Sequence, residues 1–339
     1  MNKMKKVTMS DIASTAGVSQ STVSLVLNGS TSVKIAETTQ KKVLDTAQEL
    51  GYHNKKVAHA LGRPKKIAMV INGLASYDPF IDALNAAREE AWANDHILVT
   101  FNYSHDPILA SKIETEINGG DYAGLVYASS MTRELEQQRV NTELPTVLLN
   151  CTNDKSSAPS ILPADMVGAY KAVTHLTAQG YRKIAMLTGE SWMQATVQRV
   201  EGYRQALLDA DLIPNEQYVL EANWSLKEAH QQTLRLLAMP TPPDAIFCSS
   251  DYMAMGCYQA IAELGLHIPQ DVAVVGYDNQ QIASESFPSL TSVDLPYSDM
   301  GKKSIESLMT LIEKQPLLSM RLKVEGELII RQSSTKKAS

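Results

Sequence analysis

From Ile67 onward, short apolar runs alternate with longer segments of helical periodicity, and this alternation constrains the fold most strongly. Unbroken runs of Val, Ile, Leu and Ala are typical of strands buried on both faces. The repeated order of strand and helix predicts an α/β fold with parallel sheets, right-handed crossovers and helices on both faces. The predicted strands are IAMVI (67–71), ILVTF (97–101), AGLVYA (123–128), TVLLN (146–150), KIAMLT (183–188), YVLEA (218–222), AIFCS (245–249) and VAVVGY (272–277).

The loop at 156–159 divides these strands into two groups of four. We therefore predict two doubly wound lobes with a cleft between the carboxyl ends of their strands, where open α/β sheets bind ligands. Helices are predicted over 78–95 and 166–180, the second ending at Gly180, and the last part of the chain adds a helix and one strand. The expected lobes of this unit, residues 67–331, are 67–162 plus 292–320 and 163–291 plus 321–331, followed by a frayed polar tail, 332–339.

The composition is ordinary for a globular protein, with 339 residues, 44% hydrophobic and 20% charged. No apolar run approaches the roughly 18–20 residues that cross a bilayer, and Asp11 interrupts any signal peptide, so a cytoplasmic location is expected. Cys151, Cys248 and Cys257 lack paired spacing, which argues against disulfides and zinc and favours buried thiols.

Charge is distributed unevenly along the chain. Residues 1–66 contain 11 Lys and Arg against 4 Asp and Glu, whereas the remainder contains 20 against 33. A small basic head on an acidic body indicates a polyanionic partner for the head, although a solvated charged face gives the same count.

Residues 8–50 have the pattern of three short helices. Thr8 can cap a helix that begins at Met9, Gly17 permits a tight turn, and Ser19 can cap a second helix that extends to Asn28. A third helix is predicted over 37–50. This order predicts a helix-turn-helix, in which the second helix enters the major groove of DNA. Its hydroxyl and amide groups suit base edges, although the same face could simply meet water.

Motifs for catalysis are missing from the sequence. There is no phosphate loop of the form GxxxxGK[ST], no HExxH and no G-x-S-x-G, and the seven histidines are scattered. We therefore expect no enzymatic activity, no cofactor, no metal and no catalytic residue.

The stretch VTMSDIASTAGVSQSTVSLVLNG, followed by KKVLDTAQELGY and VAHAL, resembles the DNA-binding head of the lactose/galactose repressor (LacI/GalR) family. The resemblance continues through VTHLTAQGYRKIAMLTG, RVEGYRQAL, SSDYMAMGCYQAIAELGLHIPQDVAVVGYDN and SLTSVDLP. It implies a helix-turn-helix head (1–53), a hinge (54–66) and an effector domain similar to periplasmic sugar-binding proteins. It also implies a homodimer, or a dimer of dimers, on a palindromic double-stranded operator, with no membrane partner.

By this resemblance, Gln20 and Ser21 occupy the main base-reading positions. Leu25 stands where many members have arginine, which suggests apolar contact with a thymine methyl instead of a guanine contact. Phosphate contacts or backbone positioning are expected for Thr22 and Asn28. Ser19 completes the implied DNA-binding set of the head.

The segment 54–66 is similar to the family hinge, which forms a short helix on DNA and inserts a leucine into the minor groove. Leu61 holds that position, and Ala58 is small enough for close approach. The segment departs from the family hinge in two ways: Asn54-Lys55 replaces the usual Pro-Asn, and the link to the first strand is about two residues short.

The resemblance also implies effector contacts in the cleft. Arg199 corresponds to an arginine that reaches the ligand, Trp224 to an aromatic that stacks on a sugar or purine ring, and Asp278 to a carboxylate that accepts hydroxyls. The remaining implied contacts are Ser250, Phe80, Asn150 and Tyr297. Surface packing of Trp224 and a structural ion pair of Arg199 or Asp278 stay open as alternatives.

Two departures bear on the effector. Met193 replaces an arginine that purine-binding relatives use, and Pro163-Ala164 replaces a frequent Asp-Asn. Together with the carboxylate, guanidinium and aromatic face, they favour a neutral sugar. The resemblance therefore implies a sugar-controlled repressor of a carbohydrate-utilisation operon.

A second hypothesis is a pure solute-binding protein with an accessory head. The basic helix-turn-helix argues against it. Steep weakening of duplex binding with added salt would distinguish a phosphate-contacting head from such an accessory domain.

Overall fold

The computed structural model describes residues 7–27, 35–50, 52, 64–74, 78–104, 106–135 and 142–335. The predictions for Asn28, Ala58 and Leu61, and for the hinge up to residue 63, lie outside these described residues. Residues 65 and 66 of the expected hinge already belong to the first strand.

Three helices form the amino-terminal head: α1 (Met9–Ala16), α2 (Gln20–Leu27) and α3 (Glu37–Glu49). They enclose a small core of their own, to which each helix contributes fully buried side chains such as Ile12, Val23 and Val43. The prediction of three helices is confirmed, and the third ends one residue earlier than expected.

Two six-stranded sheets build the body, and their strands match the predicted alternation. The first has the order β11-β5-β4-β3-β1-β2 and the second β12-β10-β9-β8-β6-β7. In the first lie β1 (Lys65–Asn72), β2 (His96–Asn102), β3 (Tyr122–Glu134), β4 (Thr146–Thr152), β5 (Ser160–Pro163) and β11 (Arg321–Val324). In the second lie β6 (Ile184–Thr188), β7 (Val219–Glu221), β8 (Ala245–Cys248), β9 (Ala273–Asp278), β10 (Thr291–Asp294) and β12 (Leu328–Ile329).

Strand pairing is parallel throughout the first sheet, and in the second only the β10–β12 pair is antiparallel among the described strands. Each strand is followed by a helix or loop that covers a face of the sheet. The helices of the body are α4 (Ile81–Ala93), α5 (Pro107–Gly119), α6 (Asp165–Ala178), α7 (Gln194–Asp209), α8 (Leu226–Leu237), α9 (Asp251–Glu263), α10 (Gln281–Glu285) and α11 (Tyr297–Ile312).

The chain crosses between the two lobes three times within residues 142–335. It passes from β5 to α6, from β10 to α11, and from β11 to β12. Helix α11 packs against α4 of the first lobe, and α6 packs against α7 of the second. Each lobe is therefore assembled from separate parts of the sequence.

Four details differ from the expectations. The short strands β5 and β10 were not predicted, because four-residue runs carry little periodicity. The expected single last strand is two strands, and the assignment of 321–331 to the second lobe is wrong for β11, which pairs with β5. Likewise β10, placed at the start of the first-lobe segment 292–320, pairs with β9 of the second lobe.

The start of the expected polar tail is not frayed. Residues 332–334 form a single 3-10 turn, and the side chains of Ser333 and Ser334 are fully buried. The Ser333 hydroxyl donates to the Val274 carbonyl at 2.6 Å and accepts the Thr291 N–H at 2.8 Å. Buried polar partners, rather than apolar contacts, hold this end of the chain.

The three cysteines are free and buried, as expected. Burial raises the pKa of the Cys151 thiol to about 12, which makes it a poor nucleophile. Within the described part of the chain, no helix has the length and apolarity to cross a membrane. The same residues contain no grouping of three or more His, Cys, Asp and Glu side chains fit to hold a metal ion.

Candidate functional site

The turn between α1 and α2 fixes the angle at which α2 is presented. Gly17 ends α1 in the left-handed conformation with φ of 65°, which L side chains rarely adopt. The Ser19 hydroxyl accepts the Thr22 N–H at 3.0 Å and so satisfies one free donor at the start of α2. The local sequence thus sets a helix-turn-helix without a contribution from the body.

The exposed surface of α2 contains the proposed base-reading side chains. Gln20 and Ser21 are exposed, and Thr22 and Leu25 are half-buried, whereas Val23, Val26 and Leu27 face the core. Ser19 also exchanges hydrogen bonds with the hydroxyls of Ser21 and Thr22, at 2.7 and 2.8 Å. These polar groups form one continuous hydrogen-bonding surface at the beginning of the helix.

A second group of polar side chains lies in the body, where strands of the second sheet end. Asp278 ends β9, Ser249 and Ser250 follow β8, and Trp224 comes three residues after β7. Since the carboxyl ends of parallel strands meet at one edge, these residues converge on the side of the lobe that bears the cleft.

Arg199 is the centre of this group. Its side chain lies in α7 and is only 4% exposed. Its Nε donates to Asp165 Oδ1 at 2.8 Å and its Nη1 to the Ser249 carbonyl at 2.5 Å. Nη1 also lies 3.9 Å from Asp278 Oδ1, and the guanidinium covers the Tyr277 ring at 3.6 Å. A buried cation is thereby matched with carboxylates and an aromatic face.

The protonation states follow from these neighbours. Burial lowers the pKa of Arg199, but Asp165, Tyr277 and Asp278 raise it above its ordinary value, so the side chain stays charged. Burial raises the pKa of Asp278 well above its ordinary value; Arg199 opposes this, and Asp251, Asp165 and Asp78 add to it. Asp278 is thus a carboxyl group that holds its proton more tightly than an exposed aspartate does.

Trp224 lies close to this ion pair. Its ring centroid is 5.6 Å from the Arg199 guanidinium carbon, and its Nε1 contacts Met193 Sδ at 3.0 Å. A Cβ atom at Gly189 would lie 2.0 Å from the ring, so glycine is required for this position of the indole. The half-buried ring gives the second lobe an aromatic surface beside its charged groups.

The first-lobe positions form a separate cluster. The Phe80 and Tyr297 rings meet edge to face with centroids 5.3 Å apart. Asn150 Nδ2 donates to the Tyr297 hydroxyl at 3.1 Å and to the carbonyls of Ser129 and Ser130. Its Oδ1 accepts the Thr132 hydroxyl at 2.6 Å. Asn150 therefore holds the ends of β3, β4 and α11 together.

The structure brings Arg199, Trp224 and Asp278 together in one lobe, and Phe80, Asn150 and Tyr297 together in the other. The Ser250 hydroxyl caps α9 by accepting the Met253 N–H at 3.1 Å, so its oxygen already has a structural partner. Sequence reasoning missed Asp165. The signal available was the buried arginine itself, which needs a carboxylate within hydrogen-bond reach.

Comparisons with known proteins agree with this fold. The profile described as bacterial regulatory proteins, lacI family, matches residues 8–55, and that of the periplasmic binding protein-like domain matches 173–334. The HTH-type transcriptional repressor PurR of Vibrio cholerae is 31% identical over 314 residues, which cover 90% of this chain and 91% of the relative.

Two solved structures extend the likeness to nearly the whole fold. The lac repressor dimer bound to operator and the anti-inducer ONPF has a TM-score of 0.74 at 26% identity, covering 98% of this chain and 100% of the other. The complex of the transcriptional regulator CelR with cellobiose has a TM-score of 0.70 at 26% identity, covering 96% and 99%.

A helix-turn-helix joined to a two-lobed binding domain defines a DNA-binding transcription regulator whose body takes a small-molecule effector. The chain belongs to the lacI family of bacterial regulatory proteins. Members of this family regulate transcription and are not enzymes.

Proposed function

We propose that this protein represses a carbohydrate-utilisation operon by binding a palindromic operator as a homodimer, and that a sugar in the interlobe cleft alters its DNA affinity. The observation that carries the proposal is the buried Arg199–Asp278 group beside Trp224. A flat apolar surface next to convergent hydrogen-bonding groups suits a polyhydroxylated ring, whose faces are apolar and whose rim is polar.

Two further observations support a sugar. Met193 is turned against the Trp224 indole at 3.0 Å. By the family resemblance, it offers a thioether where purine-binding relatives have an arginine. Among the structural neighbours, CelR was solved with a disaccharide, cellobiose. The body would thus use its aromatic face for stacking and its carboxyl groups for hydroxyls.

A dimer is supported by large apolar side chains that remain exposed on the body. Phe287 and Tyr252 of the second lobe are 94% and 56% exposed, and Ile108 of the first lobe is 69% exposed. Where such side chains lie together in one patch, they are typical of a surface that binds another protein chain. A two-fold dimer presents two α2 helices to two half-sites, which is why a palindromic operator is expected.

The coupling needs two conformations that bind the effector differently, with a typical coupling of about 1–3 kcal/mol. In the proposed mechanism, the effector closes the lobes and repositions the hinge helices, which the family resemblance places at 54–66. Leu61 would then act as the minor-groove wedge, since a wedged apolar side chain contributes only while the hinge is folded on DNA.

The test begins with selection of bound duplexes from a random library, read for two-fold symmetry. Fluorescence anisotropy on the selected duplex then measures affinity with and without monosaccharides, disaccharides and nucleosides. A tenfold or larger change with a sugar would support the proposal. An asymmetric site would contradict the dimer, and a response to nucleosides alone would contradict the sugar.

Leu61→Ala tests the hinge. We expect it to weaken binding to the selected operator while effector binding, measured by calorimetry, stays unchanged. The control variant Leu318→Ala truncates a leucine whose side chain is fully exposed on the body. It should leave the affinities for operator and effector unchanged. Unchanged operator affinity for Leu61→Ala would remove the wedge from the mechanism.

A further inference from the structure

The guanidinium of Arg199 is the positive charge of the second-lobe cluster, and two of its nitrogens already donate hydrogen bonds to other groups of the protein. Its Nε and Nη1 are bound to Asp165 and to the Ser249 carbonyl, and its face is covered by Tyr277. Asp165 itself is fully buried, so the Arg199–Asp165 contact is an internal ion pair shielded from water. Such a pair cancels most of the field that a free guanidinium would exert on a ligand.

Two further carboxyl groups act on this cluster. Asp278 lies 3.9 Å from Arg199, and Asp78 acts on both Asp278 in the second lobe and Tyr297 in the first. Arg199 is the main cation that acts on both Asp278 and Tyr297. The guanidinium of Arg199 is already matched by the Asp165 carboxylate at 2.8 Å before Asp278 is counted.

This balance decides what charge a ligand can carry. A phosphate group would lose its hydration beside a cation whose charge Asp165 has already neutralised, which is strongly unfavourable for an unpaired ion. A hydroxyl group loses far less on transfer, and Asp278 can pair with it in either protonation state.

We propose that Asp165 makes the cleft selective for uncharged ligands, because it neutralises Arg199 from within the protein. This rests on the proposed effector function and narrows it to unphosphorylated, non-acidic sugars and related polyols. Asp165 is a specificity-determining residue that acts through Arg199.

The test compares compounds that share a ring and differ by a phosphate: glucose and glucose 6-phosphate, cellobiose and cellobiose 6′-phosphate, adenosine and adenosine 5′-monophosphate. Binding is measured by calorimetry, and a mixed metabolite extract is offered to the immobilised protein, with retained compounds identified by mass spectrometry. For the wild-type protein we expect retained compounds to be uncharged and each phosphorylated probe to bind at least tenfold more weakly than its parent.

Asp165→Asn keeps an oxygen that can accept from Arg199 Nε but removes the charge. We expect the ratio of phosphorylated to parent affinity to rise at least tenfold. Asp211→Asn is the matched control, because Asp211 is exposed and has φ of 58°, which asparagine tolerates. A merely structural role of Asp165 would lower both affinities together and leave their ratio unchanged, which would overturn the proposal.

The binding measurements on the wild-type protein test the charge preference even if Asp165→Asn fails to fold. Folding of the variant is judged by circular dichroism and thermal melting. Retention of a phosphorylated or carboxylate compound by wild type would overturn the proposal while leaving effector control intact. Retention of nothing from the extract would instead reject the effector control on which the proposal rests.

Discussion

At the scale of single residues, the second-lobe site depends on close contacts that tolerate little change. Trp224 has φ of 57°, an uncommon conformation for a bulky residue, and its indole packs where Gly189 leaves space. Strained backbone of this kind persists only where surrounding structure holds it. Gly189 and Trp224 therefore form one unit in the proposed aromatic surface.

Gly189→Ala should displace the Trp224 ring, because the added Cβ would lie 2.0 Å from it. We expect the free energy of unfolding to fall by about 1–3 kcal/mol, as for other overpacked sites, and effector affinity to fall with it. Urea denaturation and calorimetry measure the two effects. Gly119→Ala is the control, since nothing lies within 4 Å of its Cβ position; equal effects of both substitutions would contradict the steric account.

Asp251 gives the body a pH dependence. The carboxyl group is fully buried, accepts the Ser292 hydroxyl at 2.6 Å and the Gln280 N–H at 2.7 Å, and lies near Arg331. Burial raises its pKa to about 7, and hydrogen bonds from Ser292 and Gln280 and the charge of Arg331 oppose this. The folded protein thus holds this proton more tightly than the unfolded chain, in which an aspartate has a pKa of about 3.9.

Because the folded state binds the extra proton, this carboxyl group's contribution to stability is fully present below about pH 4 and is lost as pH rises through about 7. One proton changes the free energy of unfolding by at most about 1.4 kcal/mol per pH unit. Asp251→Asn, which resembles the protonated form, should reduce the fall in melting temperature between pH 5 and pH 8. An identical pH profile for wild type and variant would contradict the assignment.

At the scale of elements, helix α1 is held by reciprocal hydrogen bonds at its start. The Thr8 hydroxyl accepts the Asp11 N–H at 3.3 Å, and Asp11 Oδ2 accepts the Thr8 N–H at 2.8 Å. This capping box fixes where the helix begins, and the left-handed Gly17 fixes where it ends. The position of α2 follows from both.

Thr8→Ala should destabilise the head by about 1 kcal/mol, because one helix donor loses its partner. The expected readout is a lower midpoint for loss of operator binding on heating, with the melting of the body unchanged. Thr15→Ala is the comparison: its hydroxyl merely donates to the Asp11 carbonyl within the helix and is exposed. If both variants behaved alike, the cap would not be the stabilising feature.

Elements with long periodic runs could be predicted from sequence, and short ones could not. Unbroken apolar residues predict the buried strands β1 and β9, and Gly17 indicates the turn between the first two helices of the head. Strands β5, β10 and β12 are two to four residues long and exist because neighbouring strands offer hydrogen bonds. The residues of a short strand do not identify the neighbouring strand with which it pairs.

The same division holds for the candidate site. Arg199, Trp224 and Asp278 could be named from the family resemblance, and the structure brings them together. Asp165 lies 34 residues before Arg199 in the chain, so only the fold reveals that contact. The use of the Ser250 hydroxyl as a cap likewise depends on how α9 begins.

At the scale of the whole molecule, charge is separated between head and body. The excess of lysine and arginine lies in residues 1–66, and the excess of aspartate and glutamate lies in the rest. A basic head attracts the DNA backbone, and an acidic body does not compete for it. DNA binding and effector binding should consequently respond to salt in different ways.

We expect the logarithm of operator affinity to fall steeply and linearly with the logarithm of salt concentration, at about 0.9 per neutralised phosphate. Effector binding should change little over the same range if the ligand is uncharged. Anisotropy and calorimetry between 50 and 200 mM salt, roughly the range over which phosphate contacts are lost, measure both. A DNA affinity that does not change with salt concentration would favour the hypothesis of a pure solute-binding protein.

The threefold crossing of the chain between the lobes has a consequence for synthesis on the ribosome. The head's core uses residues near the amino terminus alone, so it can fold while translation continues. The first sheet is complete only after residues 321–324 have been synthesised, and the second only after residues 328–329. Ser333 and Ser334 form their hydrogen bonds with Thr291 last. A message cut short by a few dozen codons would thus release an operator-reading head without a finished sensor to control it.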